Sequence, residues 1–120
     1  ADIIIDDIRG LRVVLKKKAF AHKDTVMIGR SHGIHAEPVT FGLKMALWYE
    51  EMGRALDRME RARDAVSIGK VSGAVGTFAN IDPFVERYVC RKLRLMPEPV
   101  ATQVVQRDRH ADRVEAALEP

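Results

Sequence analysis

A chain of 120 residues that is 47% hydrophobic, with only eight glycines and five prolines, carries enough apolar material for one domain with a core, which excludes a disordered or low-complexity protein. Its 20 Lys+Arg against 17 Asp+Glu leave a net charge of +3 with no block of like charge, so nucleic acid is not demanded as a partner. The single cysteine, Cys90, excludes an internal disulfide, and no apolar run approaches the roughly 20 residues that cross a bilayer; a soluble protein of the reducing cytoplasm is expected, with no membrane partner.

From Asp2 to His22, the residues Ile4, Ile8, Leu11, Leu15 and Ala19 fall at helical spacing and predict an amphipathic helix. Lys16, Lys17 and Lys18 near its end read as a solvated face that also suits the helix dipole. Lys23 to Ile28 reads as a connector, with Thr25 to Ile28 extended as it leads to Gly29.

The ten residues Gly29-Arg30-Ser31-His32-Gly33-Ile34-His35-Ala36-Glu37-Pro38 gather two histidines, a serine and a carboxylate. Pro38 is well placed to open the helix whose apolar pattern follows it, which puts the cluster at a helix entrance. Free backbone N–H groups and the positive end of a helix dipole there favour anions, and histidine is the side chain most readily poised to move protons near neutral pH.

Phe41, Met45, Trp48, Met52, Ala55, Met59, Ala62 and Val66 then alternate steps of four and three, the pattern of a coiled-coil-like seam. Gly42 and Gly53 each cost about 1 kcal/mol against alanine in a helix, so close approach of another helix is what they are expected to permit. The helix is expected to end near Gly69. Ser72 to Thr77 forms a glycine-rich loop that is not a phosphate-binding P-loop, because Val71 follows Gly69-Lys70 where Ser or Thr is required. Asp82 and Pro83 supply an N-cap and first residue for a helix burying Val85, Tyr88, Val89 and Leu93. Pro97 and Pro99 make a stiff extended connector, and Thr102 is expected to cap a final helix carrying Val104, Val105, Ala111, Val114 and Leu118. The fold class expected is all-α, a long-helix bundle without strands.

The run Gly29 to Lys44 resembles the first signature region of the fumarase/aspartase superfamily, most closely its adenylosuccinate lyase branch. Gly69-Lys70-Val71-Ser72-Gly73-Ala74-Val75-Gly76-Thr77 resembles the glycine-rich second region, and Thr102-Gln103-Val104-Val105-Gln106-Arg107-Asp108-Arg109-His110 the segment after it. The resemblance implies that residues 1–120 are the first part of a central helical domain of a longer subunit. That subunit would eliminate fumarate from adenylosuccinate, giving AMP, and from the succinyl-carboxamide ribotide of purine synthesis, with no metal or organic cofactor.

In this family a base removes the proton beside a carboxylate while an acid protonates the departing nitrogen. The resemblance makes His32 the general acid and Ser31 and Gln103 substrate-binding. Lys70, Ser72 and Thr77 lie where the family shapes its pocket. His35 and Glu37 read as supporting residues that orient His32, and Arg107 to His110 read either as a polar helix entrance or as a segment from which Arg107 or Arg109 meets a phosphate or carboxylate. The family's serine lies on a Ser-Ser-x-Met-Pro-x-Lys-x-Asn loop that this sequence does not contain, so the chain alone is expected to be inactive. Family subunits assemble as tetramers whose central helices pack together, and the Phe41–Val66 seam fits such a homo-oligomer. His32, His35 and Glu37 could in principle ligate zinc, but the spacing is not His-Glu-x-x-His and no metal is expected. The competing reading is a helical oligomerisation or nucleic-acid-binding module.

Overall fold

The computed structural model describes residues 1–111. In chain order these form α1 (Asp2–Ala21), β1 (Val26–Ser31), β2 (Ile34–Thr40), α2 (Phe41–Val66), β3 (Ile68–Gly69), α3 (Pro83–Leu93) and β4 (Met96–Pro97), and residues 108–111 are again helical. The chain divides into two compact units, and the boundary, after Arg58, falls within α2.

Helices dominate as expected, but the structure corrects the all-α expectation. Val26–Ser31 and Ile34–Thr40 are the two strands of an antiparallel hairpin. Pairs run Val26 with Thr40, Met27 with Val39 and Ile28 with Pro38, then shift to Arg30 with His35 and Ser31 with Ile34. The shift leaves Ala36 and Glu37 together opposite Gly29, a β-bulge. Glycine is needed there because the Glu37 carbonyl oxygen occupies the place of a Cβ on residue 29.

In the first unit, the face of α1 that turns inward is Ile5, Ile8, Arg12, Leu15, Ala19 and His22, with Ile5 and Leu15 buried. This corrects the expected stripe, since Ile4 and Leu11 are half exposed at 50% and 46%. A charged residue sits in the inward row because its guanidinium has an aromatic partner: Arg12 Cζ lies 4.4 Å from the centre of the Tyr49 ring. The guanidinium also fills the space that Gly53 leaves open, 3.2 Å from where a Cβ would stand. Gly42 is pressed against the backbone at the end of α1, the close approach expected of it, whereas Gly53 makes room for a side chain.

The seam of α2 is largely inward. Met45, Met59 and Ala62 are buried, Phe41, Met52, Ala55 and Val66 half-buried, and Trp48 is 42% exposed with Lys44 Nζ 5.6 Å from its ring centre. The helix ends at Val66, where the Ser67 hydroxyl donates to the Arg63 carbonyl at 2.6 Å.

In the second unit, Asp82 caps α3 as expected, its carboxylate accepting from the Phe84 N–H at 2.7 Å with Pro83 behind it. The buried face is rotated from the expected one. Glu86 and Cys90 are buried and Val85 and Val89 half-buried, whereas Tyr88 and Leu93 are exposed. The cause is Glu86, whose carboxylate accepts the Val71 N–H at 2.6 Å and draws that side of the helix inward. Pro97 lies in the two-residue parallel pairing of β3 with β4; its missing N–H costs nothing, because Met96 and Glu98 make the bonds, to the Ser67 and Gly69 carbonyls, each at 2.9 Å.

Thr102 does not cap a helix. Residues 101–106 are irregular and helix begins only at Asp108, while Val114 and Leu118 lie outside the described residues.

Candidate active site

His32 and Gly33 are the two residues of the hairpin turn. Their φ values of 50° and 77° are both in the left-handed region, as a two-residue turn matching the twist of its strands requires. Glycine adopts that conformation freely and histidine is among the residues that tolerate it. The turn displays the imidazole at the hairpin tip, exposed to solvent together with Ser31, His35 and Glu37. Directly opposed residues project to one face, so His35 shares a face with Arg30, and Ser31 shares the other with Ile34.

This placement overturns the expectation of a helix entrance. Pro38 lies in β2 opposite Ile28, and α2 starts three residues later at Phe41. Its cap is Thr40, whose hydroxyl accepts the Leu43 N–H at 3.2 Å. The Phe41 N–H donates to the Thr25 carbonyl at 2.8 Å and the Gly42 N–H to the His22 carbonyl at 2.9 Å. The first-turn donors expected to hold an anion are therefore engaged within the protein. The same bonds tie the hairpin's two ends together, and His22 adds an edge-on contact with Phe41 at 5.2 Å between ring centres. Thr40 could have been read from sequence, since a threonine directly before the first residue of an apolar periodic run is a helix-start signal.

The second unit collects the other candidates. Lys70 Nζ donates to the Gly73 carbonyl at 2.6 Å, holding the glycine-rich loop, whose Gly73 and Gly76 have φ of 83° and 80°. Ser72 is buried and its carbonyl accepts the Phe78 N–H at 3.0 Å. Lys70, Gly73, Val75, Thr77 and Asn80 border a cleft of about 310 Å³. The loop meets the segment of Gln103: the Ala101 carbonyl stands where a Cβ on Gly76 would be, with Thr102 Cα 3.3 Å from that position. Gln103 and Arg107 are exposed. Arg109 is engaged by Glu98, a buried carboxylate that the sequence reading did not single out. Among the described residues, no three His, Cys, Asp or Glu side chains are grouped as a metal ion would need.

The model of a protein family described as lyase matches residues 1–118. This chain belongs to the lyase family. Adenylosuccinate lyase of Bacillus subtilis is 60% identical over 111 residues, which are 92% of this chain and 26% of that enzyme. Adenylosuccinate lyase of Aquifex aeolicus is 56% identical over 110 residues, 92% of this chain and 25% of that enzyme. The lyase chain thus spans about a quarter of the length of the curated relatives it matches. Among solved structures, a fumarate lyase from Mesorhizobium sp. BNC1 superposes with a TM-score of 0.83 at 35% identity, covering 96% of this chain and 28% of that one. A 3-carboxy-cis,cis-muconate lactonizing enzyme from Pseudomonas putida gives 0.84 at 27% identity, covering 96% and 27%. The superfamily fold expected from the signature regions is the one these neighbours share.

Proposed function

We propose that these residues are a section of an adenylosuccinate lyase subunit, the part of its central helical domain that supplies the general acid and part of the substrate pocket. The observation that carries this reading is the 60% identity to the Bacillus subtilis enzyme across 92% of the chain, which includes all three signature segments.

In this reading the substrate loses a proton from the carbon beside a carboxylate to a base supplied outside these residues. The C–N bond breaks, its electron pair goes to the purine or carboxamide nitrogen, and the His32 imidazolium hands that nitrogen a proton while fumarate departs. An exposed imidazole at a hairpin tip fits a donor that must reach a substrate bound between several parts of an assembly. Ser31 and Gln103 bind substrate, and Gln103 can both donate and accept hydrogen bonds. His35, with Arg30 beside it, and Glu37 support the hairpin face, and Lys70, Ser72 and Thr77 shape the loop.

The remaining arginine of the pair, Arg107, is the cation for a phosphate or carboxylate, since Arg109 is occupied by Glu98. Assembly into a homo-oligomer in the cytoplasm belongs to the same reading, supported by exposed apolar residues such as Val13, Phe20, Leu43 and Leu47 on the two long helices. The isolated chain, without the serine loop, is inactive. No helix among the described residues is long and apolar enough to cross a membrane.

The test is a chimaera in which this sequence replaces the matching quarter of the Bacillus subtilis enzyme. It is expected to release fumarate from adenylosuccinate and from the succinyl-carboxamide ribotide. A chimaera that folds and assembles as the parent does, yet releases none, would overturn the reading.

A further inference from the structure

The geometry points to Glu98 and Arg109 as a part-buried clamp that positions Gln103 for substrate, an assignment that rests on the reading of Gln103 given above. Residues 99–107 between them have no helix or strand and are mostly exposed, with Val100 and Val104 at 73% and 62%. Such a stretch holds a side chain in place only through the ties at its ends and underneath. At its start, the Glu98 N–H is bonded to the Gly69 carbonyl at 2.9 Å, which fixes that end to the β3–β4 pairing.

At its far end, the guanidinium of Arg109 meets the Glu98 carboxylate in a forked contact. Nη2 donates to Oε1 at 3.2 Å, and Nε stands 2.8 Å from Oε2, off the line of its own N–H. The Glu98 side chain is only 4% exposed, so this contact closes the segment in a site where the charges are little screened.

Two weaker ties lie between. Gln106 Nε2 donates to the Val100 carbonyl at 2.9 Å, and the Ala101 carbonyl oxygen packs against the bare Cα of Gly76. Gln103 is therefore held by a loop closed through Glu98 and Arg109 and seated on the glycine-rich loop. A carboxylate buried so deeply requires its partner, because a charge left alone there is costly. The pair is a positioning device and touches no substrate.

The experiment measures kcat and KM for adenylosuccinate in the chimaera carrying Glu98→Ala, Arg109→Lys, Gln103→Ala, and Glu98→Ala combined with Gln103→Ala. Glu98→Ala is expected to lower kcat/KM about tenfold or more, since small displacements of a binding group have effects of that order. Arg109→Lys, which keeps the charge and loses the fork, is expected to fall between it and the parent.

Once Gln103 is gone, Glu98→Ala is expected to cost nothing further, an outcome that a general loss of structure would not give. An equal loss in both backgrounds, or no loss from Glu98→Ala with Gln103 present, would overturn the clamp alone. Gln103→Ala with unchanged kcat/KM would overturn the role of Gln103 and the clamp with it. Circular dichroism and the unfolding midpoint of each variant establish that the comparison is between folded proteins.

Discussion

Gly42 rests its Cα on the last turn of α1, where a Cβ would stand 2.5 Å from the carbonyl oxygen of Ala19 and 2.7 Å from the Cα of Lys23. Both are backbone atoms that cannot swing aside. Gly42→Ala is therefore expected to destabilise by roughly 1–3 kcal/mol, as overpacking does, even though alanine is the better helix former. Gly10, in α1, has nothing within 4 Å of its missing Cβ, and Gly10→Ala is expected to stabilise by about 1 kcal/mol. Urea unfolding midpoints check both, and a midpoint for Gly42→Ala that is unchanged or raised would contradict the helix contact.

Cys90 is 1% exposed, and burial, with the negative charge of Glu86 second, pushes its thiol above the ordinary 9.0. The folded state then keeps the proton to higher pH than the unfolded state. The thiol's contribution to stability is fully present below about pH 9.0 and is lost as pH rises from there through the folded value. Stability measured across that window is expected to fall more steeply for the parent than for Cys90→Ala. In the native protein, the thiol is expected to react with a disulfide reagent at pH 8 far more slowly than in denaturant.

Arg94 ends α3 in the left-handed conformation, φ 57° and ψ 40°, with the Leu95 N–H returned to the Cys90 carbonyl at 2.8 Å. A side chain there costs roughly 1–2 kcal/mol, against roughly 0.5–1 kcal/mol of extra chain entropy for glycine. Arg94→Gly is expected to raise the unfolding midpoint modestly, by up to about 1 kcal/mol of stability, and a lowered midpoint would show that the arginine makes contacts of greater worth.

The long helices were legible because their apolar residues repeat over many turns and a single misplaced residue hardly alters the pattern. The capped start of α3 was legible because Asp82 and Pro83 act locally. What failed was non-local. Pro38 reads as a helix opener in isolation, but its lack of an N–H is equally acceptable in a strand, and the pairing partner that decides, Ile28, lies ten positions back. The inward side of α3 was set by Glu86 reaching Val71, a bond between a side chain and a distant backbone that no periodicity encodes.

The site was legible as a set of residues and not as a place. Ser31, His32, His35 and Glu37 were found together because they are adjacent in sequence, while the turn that presents His32 shows only in the pairing of the flanking strands. The His-Gly dipeptide between Val26–Ile28 and Ile34 carried a faint hairpin signal, weakened by the bulge that offsets the two strands. Glu98 was invisible because a lone glutamate between two prolines reads as solvated polar chain.

In the proposed function the hairpin tip donates the proton that releases fumarate, and one substitution bears on that role directly. His32→Asn keeps a residue that accepts φ near 50°, so the turn and the fold of the chimaera are expected to survive, while the proton carrier is lost. Fumarate release is expected to fall by about 10²–10⁴-fold with the unfolding midpoint unchanged. Full turnover by the folded His32→Asn enzyme would contradict the assignment.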